Sequence, residues 1–503
     1  MFFTIEPRSQ SLTVIRGSSG PLRTRAVWSL DAAFADCVAQ RQGAVAIDLS
    51  NVTGCAWAGL AALVEIYTRY TGRLRMGFCG LDAKTLQALT KAGLDGVLPL
   101  YPSLEAALAT PDFRRHALSG MTAVVLSAGR GRRLGPLGAE TPKPMLDVLG
   151  KPVLSRILEN VSRYGVDGVF VNTAHKADNI QSHFRRSNAP EPTLFFSREG
   201  RRDADGAWAA EPLGTAGALA RLARDNAAFS GDVLVTVGDV LSNIDLSAML
   251  SDHRRSGAAA TIAVADADAE TAARHHRVEL DPCGRVRRVH RRGAHDGGSM
   301  INSGIYLFRA DVLNGLEDRP GLDIVSDVLD RLLARGAGIL GYRGTFDWAT
   351  IDCVRDYADV LFRGLNGRTP FLAPAAREIR PGVWLAPGAT VSPRAEIRGT
   401  CYVGRDAVIG DDALILGSVV VGDGSIVEGR TVVQDSVLRQ GLRVRPGAIV
   451  QGMVVGADWA VAHEIALDTP ETCPPLDGIE PIDGDAGHAD DGMTADPVLR
   501  IAL

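Results

Sequence analysis

"VVLSAGRGRRLGPLGAETPKPM", residues 124 to 145, joins an apolar run to a turn rich in glycine and arginine, then sets a lysine between two prolines. Taken from one residue earlier, AVVLSA (123–128) has the length and character of a strand buried on both faces of a parallel sheet. KPVLSRILENVSRYGV (151–166) carries apolar residues at helical spacing, and GVFVNTA (168–174) reads as a second strand. Strand, glycine turn, helix and strand form the unit that binds nucleotides at the carboxyl edge of an α/β sheet. Gly129 and Gly131 let backbone N–H groups approach a polyphosphate, and oriented amides favour its negative charge. Arg133 and Lys143 add mobile positive charge. The stretch is not a Walker A motif, because Gly131 is followed by Arg132 and Arg133 instead of lysine and a hydroxyl residue. It also lacks the third glycine of the dinucleotide fingerprint.

The surroundings narrow the class. At 503 residues the chain exceeds what one core organises, so roughly three domains are expected. No apolar stretch reaches the length of about 18 residues that a membrane-spanning helix needs, and MFFTIEPRSQ lacks the basic and apolar regions of a signal peptide. A cytoplasmic protein with no membrane association is expected. Net charge is −5 with acids and bases nearly balanced, so no basic field points to nucleic acid. Seven cysteines without a CxxC pair or a His/Cys cluster fit neither a disulfide framework nor a zinc site.

Residues 1–118 alternate strands (LTVIRG, AVAIDL, LRMGFCG) with amphipathic helices (AGLAALVEIYTRYTG, DAKTLQALTKAGL), an α/β sandwich. With AIDLSNVTGCAWAGLAALVEIY and LDGVLPLYPSLEAAL in this order, the segment resembles a STAS domain of the anti-sigma-factor antagonist type. That family reads Asp-Ser-Ser-Gly-Leu at the start of its second helix, the first serine accepting phosphate. Here the positions hold Ala56, Trp57, Ala58, Gly59 and Leu60, so no hydroxyl is available for a phospho-switch. Trp57 reads either as a cap over the small core or as an aromatic anchor for a docking partner. A binding or tethering module follows, with a kinase-type anti-sigma factor as one candidate partner.

Residues 377–456 repeat. From Leu385 an aliphatic residue recurs at every sixth position through Val391, Ile397, Val403, Ile409, Ile415, Val421, Val427 and Val433, with turn residues between. One coil cannot bury its apolar face alone, so coils must stack. The period resembles the left-handed parallel β-helix of hexapeptide-repeat proteins. The frame weakens at Arg439 and Arg445, where the stack is expected to end or be capped. No histidine lies in 377–456 to act as an acyltransferase base, which leaves homo-oligomerisation or regulation as the expected role. From Leu467 to Leu499 there are nine acidic residues and no lysine or arginine, so 467–503 is expected to be an acidic, disordered tail.

The middle segment, 120–368, resembles the nucleotide-sugar pyrophosphorylases, a Rossmann-like mixed-sheet fold whose loop commonly reads G-x-G-T/S-R-L followed by P-K-P. EPLGTAGAL (211–219) is similar to the loop against base and sugar, VLVTVGDV (233–240) to the strand ending in a metal-binding aspartate, and MINSGIYLF (300–308) to the sugar-contacting strand. With the appended repeat, mannose-1-phosphate guanylyltransferases are nearest in plan. The resemblance implies a nucleoside triphosphate and a hexose-1-phosphate as substrates and Mg²⁺ as cofactor. It places the nucleotide against Leu126, Ser127, Ala128, Gly129, Gly131, Arg132, Gly214 and Thr215, and the sugar phosphate against Arg291, Asn302 and Gly304. It gives Arg133 the leaving pyrophosphate, Lys143 the attacking and transferring phosphates, and Asp239 the metal. On the residues alone, Asp239 could instead cap a turn, Asn302 close a hairpin and Lys143 be solvated.

Three positions depart from that pattern. Arg132 replaces the hydroxyl residue before the loop arginine. The family's Glu-Lys-Pro aligns with His290, Arg291 and Arg292, which removes the acidic acceptor for a sugar hydroxyl while Arg291 can still bind phosphate. In FDWATIDCVRDY (346–357), Trp348 and Tyr357 align, but Thr350 holds the place of the second metal carboxylate, leaving Asp239 and water unless Asp352 swings in. The expected activity is synthesis of an NDP-sugar, GTP with mannose-1-phosphate favoured. The alternative is a weakened nucleotide-binding scaffold recruited through the STAS segment.

Overall fold

A computed structural model of the chain describes residues 2–186, 192–202, 208–225, 229–293, 298–463, 476, 478–482 and 498–501. The architecture is mixed α/β, with many parallel strands toward the C-terminus.

In the first region Phe3–Pro7 pairs antiparallel with Leu12–Gly17, and Ala44–Asp48, Arg75–Cys79 and Leu100–Tyr101 follow in parallel. Helices Thr24–Ala39 and Trp57–Tyr70 bury Leu30, Phe34, Leu60, Leu63 and Ile66 in a core belonging to this region alone. Trp57 is the first residue of its helix and is 61% exposed, so it does not cap that core.

The middle region is built on Thr122–Leu126, flanked in parallel by Gly168–Thr173 and Asp232–Val237, with Thr193–Arg198 beyond the former and antiparallel Met300–Arg309 beyond the latter. Side chains of the first strand alternate between two cores, Ala123 and Val125 in one and Val124 and Leu126 in the other. Burial on both faces accounts for the unbroken apolar run that opens the sequence reading.

In the C-terminal region parallel strands first pair at an offset of eighteen residues, as Ile397 with Ile415 and Val408 with Ile426 show. Three hexads therefore separate one strand from its neighbour. The regular positions Ile397, Ile409, Ile415, Val421, Val427 and Val433 are buried in one cluster. The stack does not end at Arg439. Pairing shifts by one residue between Leu416 and Val419, so that Val421 meets Leu438, and the buried positions continue as Leu438, Val444 and Val450. One residue fewer in that coil moves the frame, and the arginines fall outside it. A second face of the stack, with Tyr402, Val420, Val437, Val454 and Trp459, joins the larger core of the middle region.

Within the segment 467–503, Ile479–Pro481 pairs with Leu442–Val444, and Val498–Ile501 adds an antiparallel strand beside Thr193–Arg198. Most of the rest of the expected disordered tail lies outside the described residues. Among the described residues no helix is long and apolar enough to cross a membrane.

Candidate active site

The carboxyl ends of Thr122–Leu126, Gly168–Thr173, Thr193–Arg198 and Asp232–Val237 converge on a cleft of about 210 Å³. Its walls include Leu126, Ser127, Ala128, Gly129, Gly131, Lys143, Gly214, Thr215 and Asp239, nine residues that the sequence reading had selected from three separate motifs. Gly131 adopts φ +61°, a left-handed conformation that starts the short turn Arg132–Leu134. Gly238 lies so close to the loop that a Cβ there would stand 2.2 Å from Ser127 Oγ, so only a bare backbone lets the two strand ends meet.

Lys143 is the centre of charge. Its Nζ donates to Asp239 Oδ2 at 2.9 Å and to Asp352 Oδ1 at 3.0 Å, and Arg133 Nη2 donates to the same Asp352 oxygen at 2.8 Å. Burial would lower the Lys143 ammonium, but the two carboxylates override it and hold it above its ordinary value. Burial would raise Asp352, yet Lys143 and Arg133 hold it at about 2. Lys143 and Asp352 therefore keep their charges at neutral pH.

Asp352 needs no movement to reach the site. Along an extended chain residue 352 falls on the same side as 350, and buried Ile351 between them faces the core. The loop is fixed from behind, because the Asp352 and Cys353 N–H groups both donate to Asp356 Oδ2, itself paired with Arg274 at 3.0 Å. Thr350 sits in the strand Trp348–Thr350, paired with Val240 beside Asp239.

Asn172 and Glu199 are wall residues the sequence reading missed. Ser127 N–H donates to Asn172 Oδ1 at 2.6 Å, Asn172 Nδ2 donates to Glu199 Oε1 at 2.5 Å, and Leu213 N–H donates to Glu199 Oε2 at 2.8 Å. This chain ties the glycine loop to the EPLGT loop through a buried carboxylate. Burial pushes Glu199 above the usual carboxylate range, against the two donors that stabilise its charge. The one signal in the sequence was an acid directly after the strand Thr193–Arg198.

Other selected residues are engaged within the protein or lie outside the cleft wall. The Thr215 hydroxyl is engaged within the protein, donating to Asp323 and accepting from Ile324 N–H. Arg132 and Arg291 are exposed and outside the cleft wall. Asn302 is buried and accepts from Gly304 N–H at 3.0 Å. Gly304, at φ +82°, packs against Val237 and Val240.

Known proteins carry the same pattern. The sequence model of the nucleotidyl transferase family matches residues 122–361, and that of the STAS domain matches residues 7–107. The UTP–glucose-1-phosphate uridylyltransferase of Synechocystis sp. is 30% identical over 340 residues, 67% of this chain and 87% of its own length. The mannose-1-phosphate guanylyltransferase of Mycobacterium tuberculosis is 32% identical over 306 residues, 59% of this chain and 79% of its own. A probable mannose-1-phosphate guanylyltransferase 2 of Arabidopsis thaliana is 30% identical over 354 residues, covering 69% and 90%. With the loop, its lysine and Asp239 in one cleft, Asp352 bonded to that lysine, and relatives matched over most of their length, this chain belongs to the nucleotidyl transferase family and carries a STAS domain ahead of it.

Proposed function

We propose that the chain condenses a nucleoside triphosphate with a hexose-1-phosphate, giving an NDP-sugar and pyrophosphate, with GTP and mannose-1-phosphate the favoured pair. A phosphate oxygen of the sugar-1-phosphate attacks the α-phosphorus, the α–β anhydride bond breaks, and its electron pair leaves with pyrophosphate. Such a reaction needs positioning and charge neutralisation and no protein nucleophile. The observation that carries the reading is the Lys143 ammonium held between two carboxylates at the mouth of the glycine loop. Lys143 would neutralise the attacking and transferring phosphates, Arg133 the leaving pyrophosphate, and the amides after Ser127 the chain of phosphates between.

Asp239 and Asp352 already converge on one cation, and their oxygens are the hard donors Mg²⁺ prefers. His275 Nε2 stands 3.9 Å from Asp352 Oδ2, and among the described residues no group of three acids, histidines or cysteines is gathered to hold a metal ion, which leaves room for water and phosphate oxygens. Bound there, Mg²⁺ would supply Lewis-acid neutralisation of the phosphates. Asp352 would thus stand in for the carboxylate missing at Thr350, which weakens the scaffold alternative.

Two of the relatives reported above are named mannose-1-phosphate guanylyltransferases, which favours GTP. Asn302 and Gly304 would meet the hexose, and Arg291 its phosphate, at the edge of the cleft. The stacked strands read as a left-handed hexapeptide β-helix serving homo-oligomerisation, and exposed Trp57 supports a protein partner for the STAS domain. Dependence on the nucleoside triphosphate pool supports a cytoplasmic location.

The test is pyrophosphate release from the full chain with Mg²⁺, GTP, UTP, dTTP, CTP or ATP, and mannose- or glucose-1-phosphate. Release with one pair, lost by at least about a thousandfold in Asp239→Ala and in Asp352→Asn, is the expected result. Tight nucleotide binding with no release from any pair would instead establish the scaffold.

A further inference from the structure

Just after the slip of the hexad frame, an arginine of the stack reaches the two segments that carry the charges of the candidate active site. Arg439 follows the last residue of the strand Val432–Leu438; its backbone stays in the stack, the N–H donating to the Val455 carbonyl at 2.9 Å, while its side chain turns out of it. Its Nη2 donates to Thr141 Oγ1 at 2.8 Å and its Nη1 to the Tyr357 hydroxyl at 3.3 Å. The two acceptors belong to the two segments that carry the facing charges of the site. Thr141 stands two residues before Lys143, and Tyr357 lies in the helix Val354–Leu365 that begins just after Asp352. Tyr357 in turn donates to the Asp147 carbonyl at 2.8 Å, closing the far side of the lysine segment.

The lysine segment is stiff. Pro142 and Pro144 fix their own φ on both sides of Lys143, and the ring of Pro142 favours extended backbone at Thr141, which lies at φ −128°, ψ 124°. A displacement at Thr141 is therefore passed to Lys143 instead of being absorbed between them. Glu140, one residue earlier, accepts from Trp459 Nε1 of the stack and, through its carbonyl, from Lys176 at 2.6 Å. Two side chains of the repeat region thus grip the two residues ahead of Pro142.

From this arrangement we infer that Arg439 is a positioning residue for the reaction: its guanidinium sets the Lys143 segment against the Asp352 helix, so that the C-terminal stack aligns the charges of the active site. The inference rests on the proposed nucleotidyl transfer. Misplacing a charged group by about an ångström is enough to cost tens of fold in rate, while ground-state binding through the glycine loop is spared.

The experiment compares wild type, Arg439→Met, Arg439→Lys, Thr141→Val and the double variant Thr141→Val/Arg439→Met. Each is assayed by pyrophosphate release with the best substrate pair and by hydrogen exchange of the full chain. Arg439→Met is expected to lower kcat about tenfold with KM for the triphosphate within about twofold. Arg439→Lys, whose ammonium reaches one acceptor but not both, falls between. The double variant is expected to be no slower than Arg439→Met, because both changes remove the same contact. Exchange should rise in residues 137–147 and stay unchanged in the strands Glu396–Val403 and Leu414–Val421. A kcat within twofold of wild type, losses that multiply in the double variant, or exchange that rises through the stack instead of at 137–147 would overturn the inference. If wild type releases no pyrophosphate with any pair, the proposed function fails, and the exchange comparison still decides whether Arg439 holds the lysine segment.

Discussion

The two ends of the chain are attached to the catalytic region in opposite ways. The STAS domain keeps its two apolar clusters to itself and meets the middle region through a few contacts, such as Gln10 N–H to the Ser119 carbonyl and Arg114 to Asp245 at 3.4 Å. The C-terminal stack instead contributes Tyr402, Val420, Val437 and Val454 to the same cluster that holds Leu149, Val354 and Leu361. A domain with its own core can fold, move or be lost with little effect on its neighbour, whereas elements sharing a core stand or fall together. The first end is built as an accessory and the second as part of the enzyme.

The sharpest way to break this contrast is to hollow out each core in turn. Tyr402→Ala in the shared core is expected to cost about 3–5 kcal/mol and to unfold the stack and catalytic region in one transition, with pyrophosphate release lost at the same temperature. Calorimetry beside activity after heating checks this. Phe34→Ala, a comparable deletion in the STAS core, should lower an early transition confined to residues 1–118 and leave pyrophosphate release at 25 °C within about twofold. An equal loss of activity in both variants would erase the distinction.

A smaller effect follows from His116, which bonds Ser11 Oγ at 3.0 Å within the STAS domain. Burial, helped by Arg115 and Arg75, pulls its pKa below the ordinary value. The folded state then stays neutral where the unfolded chain takes up a proton. Stability of this domain should accordingly fall as pH drops below about 6.5, level off once the folded imidazole also protonates, and lose this dependence in His116→Gln. Smallest of all, Trp57→Ala should change neither melting temperature nor pyrophosphate release measurably, since the side chain is mostly in solvent; surface changes of this kind stay within about 0.5 kcal/mol.

How much of this was legible in the sequence depends on how locally each feature is encoded. The glycine loop, Lys143 and Asp239 were readable because a turn that cradles phosphate must be written in consecutive residues. Asp352 was only half readable. Alignment by position pointed to Thr350, while strand geometry offers the same side of the chain again two residues later. Glu199 was hidden because the strands Gly200–Arg202 and Trp208–Ala210 separate it from the EPLGT motif it supports. The repeat was plain while its period held and was misjudged at Arg439, since one missing residue moves every later aliphatic out of a fixed six-residue count. Leu438, Val444 and Val450 carry that signal to a reader who lets the phase slip once.

That slip bears on where the protein can be cut. A chain stopped at the apparent end of the repeat would lose Leu442–Val444, Ile449–Gln451 and Met453–Val455, which cover the last coil. It would present a greasy cross-section and a row of unsatisfied backbone groups to solvent, an open edge on which such chains pair with one another. Insolubility of such a fragment would reflect a missing lid on the stack, and it would carry no information about whether the catalytic half can fold.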